Sequence, residues 1–382
     1  MPNLPTAPTA AKPSTATTPK EVRAVWVSYL EFLTLAKNQT CASFTNNIGG
    51  VFSRAADYGL NTIMVQVRPF GDALYRSEYF PWSYVLTGEE GVDPGYDPLA
   101  VMVEQAQKYG LRIEAWINPY RIRTSSARAI GDANPAKGYL VSGSDAVIQY
   151  KGGTYYNPAS TTARNLITAG AVEIVKNYDI DAIHFDDYFY PTTDAAFDAA
   201  DYKAYQNSGG RLALSDWRRD NVNTLVKQVH MAIRSADSGV QFGISPQARM
   251  DVNYNAQYAD VKTWVSNGWV DYICPQIYFG FEHSTVPYSQ ALATWSEMTR
   301  GTGVGLYIGL AAYKCGVADG GAGNAKNEWI DSDDLLEKMV AEARKESTYA
   351  GFALYRYDSI FAPVAAVSGH ITQERENLAS IL

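Results

Sequence analysis

Short apolar runs alternate along this chain with stretches in which apolar residues return every three or four positions. The first run is Glu21-Val-Arg-Ala-Val-Trp-Val27. Behind it Phe44, Ile48, Val51, Phe52 and Ala55 share one face of a predicted helix, closed by Gly59. Further strands are predicted at Asn61–Val67, Arg112–Ile117, from Asp181, at Gln241–Pro246, Asp271–Tyr278, Gly303–Ala311 and Gly351–Arg356. Helices are predicted between them: from Asp97-Pro98 to Gly110, Pro158 to Tyr178, from near Ser215, Tyr258 to Asn267, and Ser332 to Lys345. Residues 124–156 show no clean period and read as a long loop, as does the stretch from Arg68 to about residue 96.

Eight strand–helix units imply a parallel sheet. With no dinucleotide glycine pattern, the expectation is an α/β protein built as a closed (β/α)8 TIM barrel over residues 21–382. Polar residues cluster just after the strands: Arg68, Asn118, Arg121, Asp186, Gln247, Gln276, Glu282 and Arg356. In a barrel they would meet on the C-terminal rim, with the two long loops walling a groove.

Composition narrows the partners. The 382 residues carry a formal net charge of −8, and the pI of about 5.1 argues against nucleic acid, whose phosphates need a basic surface. No apolar run approaches the roughly 20 residues of a membrane helix. The 27 Tyr and 8 Trp suit stacking on sugar rings, although tyrosine also fills large cores. Cys41, Cys274 and Cys315 follow no disulfide or zinc spacing. Residues 1–20 are rich in Pro and Thr and read as a disordered tether. Such tethers often follow a removed signal or a lipid anchor upstream, so an extracytoplasmic location, secreted or at the cell envelope, is expected.

The chemistry is expected at Asp181-Ala-Ile-His-Phe-Asp-Asp-Tyr-Phe-Tyr-Pro191. A buried parallel strand ends there in two aspartates, costly to hold unless used or satisfied. Alternation puts His184, Asp186 and Tyr188 on one face, with Asp187 opposed unless the strand has ended. Breaking a glycosidic bond usually takes two carboxyl groups flanking it. The expected catalytic set is Asp186, Asp187 and, as proton donor from the loop after strand six, Glu282. Glu114 lies mid-strand and is expected in a buried ion pair. Arg68, Asn118, Tyr120, Arg121, Gln247, Gln276, Tyr278, Tyr313 and Arg356 are candidates for binding sugar hydroxyls, with His184 and Tyr188 beside the acid pair. Trp26, Trp116 and Trp82 are stacking candidates, although the first two lie within strands and read more readily as core. His184 and His283 do not form a diagnostic metal spacing, and no phosphate loop or nucleophile elbow is present. No metal or other cofactor is expected.

As a set, Val22-Arg-Ala-Val-Trp-Val27, Gln66-Val-Arg-Pro69, Trp116-Ile-Asn-Pro-Tyr-Arg121, His184-Phe-Asp-Asp-Tyr-Phe-Tyr-Pro191, Cys274-Pro-Gln-Ile-Tyr278 and Gly351-Phe-Ala-Leu-Tyr-Arg-Tyr357 resemble the glycosyl-hydrolase-like family 10 domain. The likeness spans roughly residues 21–365. It implies a bacterial, mostly exported (β/α)8 protein with a glycoside hydrolase fold. One branch of that family acts on cell-wall glycan strands stripped of their peptides. A fainter likeness to chitinase-type barrels departs at the residues that matter. His184 stands where their strand-four Asp-x-x-Asp-x-Asp-x-Glu pattern has its second aspartate, and Tyr188 replaces the final glutamate.

The leading expectation is therefore a glycoside hydrolase acting on a polysaccharide, with peptide-free peptidoglycan glycan favoured by resemblance. The alternatives are a glycosidase for another plant, host or capsular glycan, and a non-catalytic carbohydrate-binding barrel, since barrels host many chemistries.

Overall fold

A computed structural model describes residues 18–382; most of the expected tether, residues 1–17, lies outside them. Eight parallel strands close a barrel in sequence order: β1 (Val22–Val27), β2 (Thr62–Arg68), β3 (Arg112–Ile117), β4 (Ala182–Phe185), β5 (Gln241–Ile244), β6 (Tyr272–Ile273), β7 (Gly305–Leu310) and β8 (Tyr349–Leu354), with β8 returning to β1. The expected (β/α)8 TIM barrel is the fold observed. Its outer layer includes the helices Cys41–Asp57, Pro98–Lys108, Thr161–Asn177, Leu214–Ala236, Val261–Ser266, Tyr288–Thr299 and Leu335–Ala343. No helix among the described residues is long and apolar enough to cross a membrane.

Alternation along the strands builds two cores. Val25, Val27, Ile63, Val65 and Val67 face the helices, whereas Val22, Ala24, Trp26, Met64, Trp116, Ala182, Tyr272, Cys274, Tyr307 and Ala353 fill the barrel interior. Gly243 makes room there: a Cβ at that position would fall 1.9 Å from the ring of Tyr272. The interior also holds a hydrogen-bonded chain. Trp26 Nε1 donates to His184 Nε2 at 3.2 Å, His184 Nδ1 meets the Tyr272 hydroxyl at 2.8 Å, and that hydroxyl donates to Glu114 at 2.5 Å. Because an indole can only donate, His184 Nε2 must accept, so the proton sits on Nδ1. Glu114 lies 4.0 Å from Arg112, and burial pushes its carboxyl up to about 7.

Two stretches depart from expectation. β6 is a two-residue ladder followed by isolated pairings of Gln276 with Gln247 and Gly309, because Pro275 interrupts it and has no N–H to donate. The expected loop 124–156 is largely structured. Arg121–Arg123 pairs antiparallel with Gly153–Tyr156, which pairs with Val147–Tyr150, and Asn134 caps a helix at Pro135–Ser142. The tight turn of this excursion uses Lys151 and Gly152, both at positive φ. A lysine in a position that favours Asn, Asp or Gly hides the hairpin from sequence patterns.

Candidate active site

Strand β4 ends at Phe185, so Asp186 and Asp187 stand beyond the pleat and both are freed from strict alternation. Asp186 keeps the interior side. Its Oδ2 accepts from Trp116 Nε1 at 3.1 Å and its Oδ1 from the Tyr188 backbone N–H at 3.2 Å. It is 4% exposed, and burial together with the neighbouring Asp187 charge pushes its carboxyl up to about 7. Asp187 lines a cavity at the strand ends. Its Oδ2 accepts from Gln247 Nε2 at 3.0 Å and more weakly from Gln257 Nε2 at 3.4 Å.

That cavity, of about 430 Å³, lies over β3–β5. Tyr120, Arg121, Thr124 and Tyr155 form one wall, the segment Asp187–Thr193 another, and Gln247, Val252, Ala256 and Gln257 the third. Arg121 is held across it: Nε donates to the Pro69 carbonyl, and the guanidinium lies over the rings of Phe70 and Tyr188, 4.9 and 4.3 Å from their centroids. On the other side of the acid pair Tyr278, Tyr313 and Tyr355 pack edge to face or tilted, with centroids 5.7–6.0 Å apart. Burial raises the hydroxyls of Tyr355 and Tyr278, and the charges of Asp186 and Asp187 respectively add to that push. Tyr188 and Tyr313 are the exposed members of this rim.

Several expected site residues are placed elsewhere. Glu282 is exposed on its loop, its backbone N–H held by Glu328, and it is not among the residues lining the cavity. Arg68 is turned away from the rim. The ladder slips between Gln66 and Arg68, pairing Arg68 with helix-facing Ile117. The guanidinium ends 4.3 Å from the Phe80 ring centroid, in the layer under the helix Thr161–Asn177. His184 is buried in the barrel interior, where desolvation lowers its pKa to about 3, so it is a neutral core residue and not a sugar contact. Arg356 pairs with buried Glu31, whose other oxygen accepts from Ser28. Asn118 accepts from Gln66 at 3.0 Å, and Gln276 donates to the Ser245 carbonyl at 3.1 Å. Trp82 packs against the core. His283 Nδ1 accepts from the backbone N–H of Thr285 and Val286.

Sequence reasoning missed Gln257, Tyr155, Thr124 and the Thr192–Thr193 pair. Tyr155 comes from the unrecognised hairpin. Gln257 follows a short helix, Met250–Ala256, that carries no periodic signal.

YngK, a glycosyl hydrolase of Bacillus subtilis strain 168, is 38% identical over 307 residues, covering 75% of this chain. The chain spans 58% of that relative's length. DigH, a glycosyl hydrolase of Escherichia coli K12, is 33% identical over 334 residues, covering 80% of this chain and 74% of that protein. Among solved structures, the PgaB (BpsB) glycoside hydrolase domain of Bordetella bronchiseptica superposes with a TM-score of 0.62 at 14% identity, covering 94% of this chain and 99% of that one. The catalytic domain of a β-amylase from Paenibacillus polymyxa does so with 0.60 at 12%, covering 96% and 99%. These two likenesses speak to the barrel alone. The family match itself runs over residues 21–331, from β1 through β7, and takes in the aspartate pair and every cavity wall, so the chain belongs to the glycosyl hydrolase-like 10 family.

Proposed function

We propose that this protein hydrolyses O-glycosidic bonds in a polysaccharide, with Asp186 as proton donor and Asp187 as its partner on the cavity side. The observation that carries this reading is the contrast within the pair. Asp186 is buried and held up to about 7, so it can carry a proton at neutral pH, while the adjacent Asp187 opens onto the cavity. Two carboxyl groups in different environments divide acid and charge-stabilising roles in this way. The tyrosine rim and the amides of Gln247 and Gln257 suit a glycan, offering ring faces together with hydroxyl or acetamido partners. Peptide-free cell-wall glycan is the substrate we favour. Support comes from the resemblance in the strand-end motifs and from the Pro/Thr-rich first 20 residues, which fit an exported protein. The test is product analysis after incubation of purified peptide-free cell-wall glycan with wild type and with Asp186→Asn. Soluble oligosaccharides should form with the first and not the second. Equal release by both would remove Asp186 from the chemistry.

One observation favours a second reading, a carbohydrate-binding barrel without turnover: Asp187 is the one carboxylate among the residues lining the cavity. Retention of glycan by the wild-type protein on an array, with no product formed from the same glycan, would select it.

A further inference from the structure

The two-carboxylate route needs a second acid across the bond, about 5–10 Å from the first. Among the described residues that line this cavity, Asp187 is the one carboxylate. Glu282 is exposed on its loop and outside the lining, Glu31 is engaged on both oxygens by Ser28 and Arg356, and Glu114 lies in the barrel interior. Asp251 pairs with Arg249 beside a separate groove, and Asp194 pairs with the Tyr150 hydroxyl at 2.5 Å. Residues 1–17 contain no Asp or Glu. The two acids at the site are neighbours just past the tip of β4.

We propose, resting on the hydrolase reading above, that the missing nucleophile is the 2-acetamido group of the substrate itself, so the enzyme acts on 2-acetamido sugars with Asp187 orienting that group. The acetamido oxygen bonds to the anomeric carbon as the bond from that carbon to the leaving oxygen breaks. Asp186 gives its proton to the leaving oxygen. Asp187, fixed by Gln247 and Gln257, accepts the acetamido N–H and balances the positive charge of the cyclic intermediate. Water then adds to the anomeric carbon and passes a proton to the Asp186 carboxylate. The oxygen–carbon bond of the ring opens and the acetamide is restored. The sum is one glycosidic bond and one water exchanged for two hydroxyl ends, with the anomeric configuration retained. The cavity fits this use. Beside Asp187 and the two amides it has an apolar wall of Val252 and Ala256, where the acetamido methyl can be buried.

Three measurements test the proposal. Peptide-free cell-wall glycan strands and the same strands after chemical de-N-acetylation are offered to the wild-type protein, and the anomeric configuration of fresh products is read by proton NMR. The expected result is retention, with cleavage of the de-N-acetylated strands slower by roughly 100-fold or more. N-acetylglucosamine-thiazoline, which mimics the cyclic intermediate, should inhibit wild type and bind Asp187→Asn more weakly, with circular dichroism confirming that the variant is folded. Inverted products, or equal rates on both strands, would overturn the acetamido step and leave the hydrolase reading standing. Absence of turnover on either strand would remove both.

Discussion

The indole N–H of Trp116 holds Asp186 from the adjacent strand at 3.1 Å, tying the acid at the tip of β4 to the floor of the barrel. This bond favours the carboxylate and so opposes the upward push of burial and of Asp187. Trp116→Phe removes the donor and keeps most of the ring. The pKa of Asp186 should then rise, moving the alkaline limb of the kcat/KM profile to higher pH while turnover falls. An unmoved limb would mean that Asp186 is not the titrating acid.

Rate against pH in the wild type follows from the same group. Asp186 is protonated below about 7, so a proton-donor role predicts activity that declines as pH rises through that value. Stability moves in the same direction. The folded state binds this proton more tightly than the unfolded chain, whose aspartate titrates near its ordinary value, so the penalty of burying the ionised acid grows between roughly pH 4 and 7. Asp186→Asn should therefore abolish turnover yet stabilise the fold at pH 8, by on the order of 1–3 kcal/mol. Thermal melts of both proteins at pH 5 and pH 8 check it, with the gain expected to shrink at pH 5.

The loop after β2 and the excursion after β3 are clasped by Arg128, whose Nη1 reaches Asp72 at 3.2 Å and Glu90 at 3.0 Å. Asp72 is fully buried and its carboxyl is pushed up to about 6. Arg128→Met leaves the two acids facing each other without a counter-charge and should cost about 2–4 kcal/mol at pH 8. Below pH 6 Asp72 takes up a proton and most of that loss should be recovered. Hydrogen exchange across residues 121–156 at the two pH values reports it. A pH-independent loss would show that the clasp does not work through charge.

In the barrel interior His184 should remain neutral, with its proton on Nδ1, from pH 5 to 8, because burial drives its pKa to about 3. Nitrogen-15 imidazole shifts that stay constant over that range would agree; a titration near 6.5 would not. Tyr272→Phe strips partners from both His184 and Glu114 and should cost about 2–4 kcal/mol.

The strands and most helices were legible because each is a buried run or an apolar stripe whose period is set by backbone geometry alone. The aspartate pair within Asp181–Pro191 stood out for a related reason, since paired acids on an apolar strand end violate the local pattern. The excursion over residues 121–156 was not, since its strands are only three or four residues long and two of them are joined through Lys151 at positive φ.

The chain's pattern of apolar runs determined the number of strands, their parallel order and the end of the barrel that carries polar groups, because burial of alternate faces leaves few other solutions. Which polar groups face one another was decided only in three dimensions. One slip in the ladder sends Arg68 beneath a helix, one loop carries Glu282 out into solvent, and the end of β4 at Phe185 lets two neighbouring aspartates meet different surroundings. Those outcomes depend on contacts between residues far apart in the chain, which no local period records.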